Sequence, residues 1–185
     1  MFIILLSSNK LDMTNQRGLL IINTGNGKGK STAAFGTAFR ALGQGLRVSV
    51  LQFIKGKWKT GELESAQRLG LEMTPMGKGF TWESENLEED KALMRDAWTV
   101  ASEKILSGDY DLIILDELNY VLGYGYLPLD DVIRCLKERP AHVHVVLTGR
   151  NAPEEIVEIA DCVTEMREIK HPYRKGIPAQ KGIDF

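Results

Sequence analysis

The sequence has few of the residues from which disulfide frameworks and metal centres are built. It contains two cysteines, Cys135 and Cys162, and they form no CxxC or Cys/His ligand spacing. His142 and His144 alternate with valines, a pattern more typical of a partly solvated strand end than of a metal site. We therefore expect reduced, partly buried thiols, as in a cytosolic protein.

The chain also lacks a strong net charge and a long apolar run. Its 23 basic and 25 acidic side chains give a formal charge of −2, which offers no general attraction for nucleic acid or an anionic membrane. The apolar start, residues 1–6, is too short to span a bilayer and lacks the basic region and cleavage site of a signal peptide. We expect a cytoplasmic protein that binds neither nucleic acid nor membrane, with residues 1–17 a weakly ordered leader and Met13 a candidate start.

What the chain does have is a glycine-rich loop at residues 24–32, with the sequence TGNGKGKST. An apolar run precedes it and a helix-like segment follows, which is the context that a phosphate-binding P-loop requires. Its glycines allow backbone N–H groups to turn toward one anion, and the following helix adds its positive dipole end. The residues predicted to bind the triphosphate of ATP are Gly25, Asn26, Gly27, Lys28, Gly29, Lys30, Ser31 and Thr32.

Two side chains of this loop have predicted chemical roles. Lys30 supplies a mobile positive charge, and the Ser31 hydroxyl is suited to ligate Mg²⁺. The strict pattern places glycine six residues before Lys30, where this chain has Thr24. The loop is therefore a variant, and a flexible basic turn is the alternative interpretation.

Apolar segments alternate with helical ones along the rest of the chain. Residues 47–54, 111–117 and 142–148 are typical of strands buried on both faces, and residues 71–76 and 162–166 are weaker candidates. Helices are expected at 62–69, 86–106, 128–137 and from 151, with Trp98 on an apolar stripe that favours a core position. Residues 18–185 should form a single α/β domain, a RecA-like P-loop nucleotide-binding fold with a mostly parallel sheet flanked by helices.

Asp116 and Glu117 follow the apolar strand 111–115 in the manner of a Walker B segment. The carboxyl ends of parallel strands gather where the P-loop also lies, so Ser31, Asp116 and Glu117 are the predicted metal ligands. Successive strand side chains face opposite ways, so the two carboxylates need a local bend to share one task. One would hold Mg²⁺ and the other would touch ribose or a second substrate. The sequence leaves open which of the two carboxylates binds the metal.

A P-loop alone does not determine which bond of the nucleotide breaks. An ATPase or kinase would attack the γ-phosphorus, with Glu117 as the base and Arg150 or Arg47 as the arginine finger. Nothing in the sequence demands that reaction.

Several short blocks of the chain together resemble the ATP:corrinoid adenosyltransferases of cobalamin synthesis. The resemblance runs in order from Gly18 to Phe185, and its blocks are residues 24–36, 52–56, 79–82, 115–120, 126–129, 148–151, 170–171 and 182–185. The signal is strong because several of these blocks are unusual outside that family.

The resemblance implies that a reduced corrinoid, with cobalt in the +1 state, attacks C5′ of ATP and expels triphosphate. In that family ATP lies reversed in the loop, and Lys30 and Ser31 would act catalytically on the leaving group. Aromatics at the positions of Phe80 and Trp82 would pack against the corrin face and displace its lower axial ligand.

The resemblance also implies the ligands and partners. They are Mg-ATP, a corrinoid (cobalamin, cobinamide or a cobyrinic acid derivative), an electron-donating flavoprotein and a second copy of the chain in a homodimer. The segment before Gly18 is shorter than the arm that often covers the active site in this family, so the sequence does not predict closure by such an arm. A nucleotide-gated corrinoid carrier is a non-enzymatic alternative.

Overall fold

The computed structural model describes residues 17–56, 60–77, 79 and 87–184. The leader through residue 16, with Met13, lies outside the described residues. So do Phe80 and Trp82, and the structure therefore leaves their predicted contacts with a corrin as sequence-based expectations.

A six-stranded parallel sheet forms the centre of the molecule. In chain order its strands are β1 Leu20–Thr24, β2 Val48–Gln52, β3 Glu72–Pro75, β4 Leu112–Asp116, β5 His144–Thr148 and β6 Cys162–Glu165. Their order across the sheet is β3-β2-β4-β5-β1-β6, and every pairing is parallel. The apolar runs of β2 and β4 are buried along their whole length, because helices cover both faces of a parallel sheet. The predicted α/β fold with a mostly parallel sheet is confirmed.

Helices connect the strands, as the alternating pattern predicts. They are α1 Lys30–Gly43, α2 Gly61–Leu69, α3 Leu87–Ser107, α4 Leu118–Gly123, α5 Leu129–Glu138 and α6 Glu154–Ile159, followed by a 3₁₀ turn at Pro172–Lys175. The short helix α4, directly after Glu117, was not predicted. Its six residues are too few to show a helical period, and they follow β4 with only Glu117 between them.

The two faces of the sheet pack against different helices. On one face, Ala34 and Ala38 of α1 meet Val50, Ile114 and Val146, and their small side chains let the helix lie close to the strands. The opposite face packs against a larger cluster that includes residues of α3 and α5. Trp98 belongs to that cluster and is 9% exposed, which confirms its predicted core position.

On the α1 face, the strands end in polar side chains instead of apolar ones. The residues are Gln52, Asp116, Thr148 and Asn23, on neighbouring strands β2, β4, β5 and β1, and all four are buried. Gln52 lies in register with Asp116, and Thr148 with Asn23. We call these four residues the polar row, which lies under the glycine-rich loop at the carboxyl edge of the sheet.

The two cysteines are free, but their surroundings differ from the expectation at one position. Cys135 is buried and Cys162 is exposed, because β6 is an edge strand whose residues all remain accessible.

His144 accepts a hydrogen bond from the Leu19 N–H at 3.1 Å. Within the described ranges, no group of three or more His, Cys, Asp or Glu side chains is arranged to hold a metal ion.

Candidate functional site

The glycine-rich loop connects β1 to α1 at the carboxyl edge of the sheet. Gly25 and Gly29 have φ angles of 93° and 112°, a region that side chains with a Cβ rarely adopt. The first turn of α1 contains no acidic residue, so no carboxylate of that turn opposes its positive dipole end. Both features favour the binding of an anion at this loop.

Gly27 contributes to the loop differently from the expectation. Its N–H donates to the Met166 carbonyl at 2.6 Å, so this group is directed into the protein and not toward an anion. A Cβ at Gly27 would lie 2.7 Å from the Arg167 carbonyl oxygen. Glycine is needed here because the loop lies directly against the chain that follows β6.

The departure from the strict P-loop pattern at Thr24 has a structural reason. Thr24 is the last residue of β1 and pairs with Glu165 of β6, so its backbone is extended and does not require glycine. Its hydroxyl accepts a hydrogen bond from the Ala152 N–H at 3.2 Å. Thr24 thus joins the glycine-rich loop to the loop after β5, where Arg150 lies.

Lys30 is held within the loop. It is 8% exposed, and its Nζ donates to the Gly27 carbonyl at 2.7 Å. Burial lowers the pKa of the Lys30 ammonium, while the negative charge of Glu117 opposes that shift. A desolvated ammonium gains more from an approaching anion than a solvated one, so Lys30 is well placed to pair with phosphate. Its backbone carbonyl accepts a hydrogen bond from Asn23 of the polar row at 3.3 Å.

The other predicted loop residues are more accessible. Ser31 is half-buried in the first turn of α1, and Asn26, Lys28 and Thr32 are exposed. Ser31 directly follows the buried Lys30 in the chain.

Asp116 is held by side chains of two neighbouring strands. It is fully buried; its Oδ2 accepts from Gln52 Nε2 at 3.0 Å and its Oδ1 accepts from Thr148 Oγ1 at 2.8 Å. Each carboxylate oxygen therefore already has a protein donor. This arrangement is suited to holding a strand end in place.

Glu117 forms the local bend that two adjacent carboxylates at the end of a strand need if both are to serve one site. Its φ angle is 65°, in the left-handed region that non-glycine residues seldom occupy. Its N–H donates to Thr148 Oγ1 at 2.9 Å, and its backbone begins helix α4. The bend turns the Glu117 side chain out of the alternation of β4.

The Glu117 carboxylate lies in a buried, charged environment. Its Oε2 is buried and has no hydrogen-bond partner within the described part of the chain. Burial and the nearby charge of Asp116 raise the pKa of Glu117 to about 7, against the opposing effect of Lys30, Lys55 and Arg150. Of the two predicted acidic ligands, Glu117 is the one with an unsatisfied oxygen.

The two arginines suggested for an arginine finger lie in different places. Arg150 follows β5 and acts electrostatically on both Lys30 and Glu117. Arg47 precedes β2, where its N–H binds Asp111 and its guanidinium lies over the Tyr110 ring. Because Arg47 is at the amino end of its strand, opposite the glycine-rich loop, it is not placed to act as a finger.

The carboxyl-terminal segment reaches back to the glycine-rich loop. Lys28 Nζ forms an ion pair with Asp184 Oδ1, and the other Asp184 oxygen accepts from the Gln180 N–H at 2.8 Å. Residues 182–184 also line an apolar groove of 580 Å³ between α1 and α2, with Thr32 and Phe35. A polar cavity of 460 Å³ lies on the other side of the loop and is lined by residues that include Asn26, Arg150, Arg167 and Arg174.

The sequence analysis did not identify Asp184 as a site residue, nor the members of the polar row other than Asp116. Gln52, Asp116 and Thr148 share one signal, since each is the polar residue that ends an apolar strand run. Only Asp116 was recognised, because its neighbour is also acidic. Asp184 lies 156 residues from Lys28, and the sequence has no signal for such a contact.

The chain is similar in sequence to known proteins over most of its length. The family of ATP:corrinoid adenosyltransferases BtuR/CobO/CobP matches residues 16–185. The corrinoid adenosyltransferase of Escherichia coli K12 is 47% identical over 171 residues, which cover 92% of this chain and 87% of that protein. The corrinoid adenosyltransferase of Pseudomonas aeruginosa is 48% identical over 173 residues, which cover 92% of this chain and 85% of that one.

A solved structure supports the fold independently. The flagellar accessory protein FlaH from Methanocaldococcus jannaschii aligns with a TM-score of 0.51 over 80% of this chain and 71% of that one, at 16% identity. This likeness concerns the RecA-like P-loop fold alone. The family is shown by the sequence matches, which span nearly all of the described chain: the protein belongs to the ATP:corrinoid adenosyltransferases.

Proposed function

We propose that this protein transfers the 5′-deoxyadenosyl group of ATP to the cobalt(I) of a reduced corrinoid, releasing triphosphate, in cobalamin biosynthesis or salvage. The observation that carries the proposal is a glycine-rich loop whose buried Lys30 lies near Glu117, in a chain of this family. In the reaction, the cobalt(I) electron pair forms a bond to C5′, and the bond between C5′ and oxygen breaks. The displaced electron pair leaves on the triphosphate.

The loop acts on the leaving group in this reaction. Negative charge grows on the triphosphate oxygen as the C5′–O bond breaks, and the Lys30 ammonium and the α1 amino terminus stabilise that charge where water is excluded. Cobalt(I) carries no proton, so no general base is required. The buried carboxylate of Glu117 is then available for a different task.

Mg²⁺ fits the residues at this edge of the sheet. The unpartnered, buried Oε2 of Glu117 and the Ser31 hydroxyl are hard oxygen donors of the kind that Mg²⁺ prefers. Both oxygens of Asp116 already accept hydrogen bonds from Gln52 and Thr148. We therefore propose that Asp116 holds the end of β4 in place and does not itself bind the ion. When bound, the ion would neutralise charge on the triphosphate.

The corrin contacts rest on the family resemblance. We propose that Phe80 and Trp82 pack against the corrin and displace its lower axial ligand, which eases reduction to cobalt(I). Trp82→Ala should then impair reactions that start from cobalt(II) far more than reactions supplied with cobalt(I), whereas Leu106→Ala, which removes an exposed apolar side chain of α3, should affect neither. Equal losses in both assays would contradict the role.

The partners are proposed on the same basis. A reduced flavoprotein is the proposed electron donor, and residues 18–185 are proposed to act as one domain within a cytoplasmic homodimer. Light scattering on the purified protein tests the dimer, and a monomer at micromolar concentration would argue against it. Replacing the chemical reductant by reduced flavodoxin in the cobalt(II) assay tests the electron donor.

Product analysis tests the reaction itself. The protein is incubated with ATP, Mg²⁺ and chemically reduced cobalamin, and the mixture is assayed for inorganic triphosphate and for a light-sensitive alkylcobalamin spectrum. Both products are expected from the wild type and from Lys137→Ala, which alters an exposed lysine of α5. ADP and phosphate without a spectral change would contradict adenosyl transfer.

One observation favours a second candidate, a P-loop ATPase or kinase. Glu117 has a pKa of about 7, which is suited to a general base at neutral pH, and Arg150 lies nearby. Formation of ADP that is abolished by Glu117→Gln would support this candidate. Tight corrinoid and ATP binding without turnover would instead support the nucleotide-gated carrier.

A further inference from the structure

One buried hydroxyl lies between the two acidic residues at the end of β4. Thr148 is fully buried, and its Oγ1 contacts both acidic residues: it accepts from the Glu117 N–H at 2.9 Å and donates to Asp116 Oδ1 at 2.8 Å. A hydroxyl has one proton and two lone pairs. Because the amide can only donate, the Thr148 proton is directed to Asp116.

The other carboxylate oxygen of Asp116 is hydrogen-bonded as well. Gln52 Nε2 donates to Asp116 Oδ2 at 3.0 Å, and Gln52 is itself buried. Gln52, Asp116 and Thr148 therefore form a hydrogen-bonded chain across three adjacent strands, β2, β4 and β5. This chain fixes the Thr148 hydroxyl in one orientation, with a lone pair facing the Glu117 amide.

The Glu117 backbone needs such support. A left-handed conformation is unfavourable for a non-glycine residue, and such conformations persist where the surroundings determine them. The hydrogen bond from the Glu117 N–H to Thr148 Oγ1 spans 31 residues of sequence and fixes the start of the bend. The bend in turn places the unpartnered Glu117 carboxylate among the charges of Lys30, Lys55 and Arg150.

We propose that Thr148 is a positioning residue, whose hydroxyl fixes the Glu117 carboxylate toward the phosphate-binding loop. The inference rests on the proposed function, in which Glu117 is a ligand for the Mg²⁺ of Mg-ATP. Thr148 touches neither nucleotide nor corrinoid in this role and acts only through Glu117.

A double-mutant cycle tests this dependence. The variants are Thr148→Val, which keeps the shape and removes the hydroxyl, Glu117→Gln, and the two combined. The Kd of ATP is measured by calorimetry with Mg²⁺ and again with EDTA, below the melting temperature of every variant. Thr148→Val should weaken Mg-ATP binding about 10-fold, the usual lower bound for losing a group that orients a metal ligand, and leave metal-free ATP binding unchanged. In the Glu117→Gln background it should change Mg-ATP binding less than about twofold.

Two further variants separate positioning from stability. Thr148→Ser should recover the binding lost in Thr148→Val, whereas Thr148→Cys, similar in size but with a thiol, should not. If Thr148→Val does not fold, the comparison of Thr148→Ser with Thr148→Cys takes its place. Thr99→Val removes a hydroxyl that donates to a backbone carbonyl on the exposed side of α3, and should leave the Mg-ATP Kd as in the wild type. Equal losses from Thr148→Val in both Glu117 backgrounds, or equal losses with and without Mg²⁺, would overturn the proposal.

This test is independent of the adenosyl-transfer reaction because it measures nucleotide binding. If product analysis yields ADP in place of triphosphate, the cycle still reports whether Thr148 acts through Glu117. If the cycle is additive while triphosphate is produced, the proposed function stands and the positioning role fails.

Discussion

Glu117→Gln should change how the stability of the protein depends on pH. In the folded protein, burial and Asp116 raise the pKa of Glu117 from an ordinary value of 4.5 to about 7. Between these values the folded state retains a proton that the unfolded state has lost. The free energy of unfolding therefore falls as pH rises through this window.

The size of the effect follows from the shift. Each pKa unit corresponds to about 1.4 kcal/mol, so the full change from 4.5 to about 7 corresponds to about 3 kcal/mol. The interval from pH 5 to pH 8 contains most of the range between the two pKa values. Over that interval the free energy of unfolding of the wild type should therefore fall by about 2–3 kcal/mol through Glu117. Glutamine has no proton to release and should show no such loss.

Urea denaturation at pH 5, 6, 7 and 8, in EDTA and without nucleotide, measures the difference between the two proteins. His144 has its pKa lowered by burial and contributes with the opposite sign, because its unfolded state binds the extra proton. That contribution is common to both proteins and cancels when they are compared. Parallel pH profiles for wild type and Glu117→Gln would refute the argument that Glu117 is buried beside a second carboxylate.

Three further predictions concern the glycine-rich loop. Lys30→Ala should lower kcat/KM on the order of 100-fold or more in the adenosylation assay, as when an oxyanion donor is lost; near-normal turnover would remove the loop from the catalytic centre. Gly27→Ala puts a Cβ 2.7 Å from a backbone carbonyl and should destabilise by about 1–3 kcal/mol in urea, whereas Gly36→Ala, with open space around it in α1, should be neutral or stabilising. Asp184→Asn releases Lys28 and should tighten ATP binding in calorimetry, an effect that should vanish in a Lys28→Ala background.

The fold was predictable because its signals are local. Apolar runs of about five residues, the glycine-rich loop and the helical periodicity each lie within a short window of sequence, and these windows define the strands and helices to within a few residues. Helix α4 was missed for the same reason, since its six residues are too short for a period to appear.

The candidate site was predictable only in part. Lys30, Ser31 and the pair Asp116 and Glu117 were identified because each lies in a recognisable motif. The motif did not show which carboxylate is free: that depends on Gln52 and Thr148, which lie 64 and 32 residues from Asp116 and bind both of its oxygens. Such contacts depend on strand order and register, which no short window contains.

The sequence by itself determined an α/β fold built around a glycine-rich loop of the P-loop pattern, and its family resemblance indicated a corrinoid substrate. Tertiary structure decided how the site is assembled. Parallel register brings the polar ends of β2, β4, β5 and β1 under the loop, and the left-handed turn at Glu117 directs one carboxylate away from its neighbour. The physical reason is that a strand's own pattern sets which face a side chain occupies, whereas its hydrogen-bond partners come from strands distant in sequence.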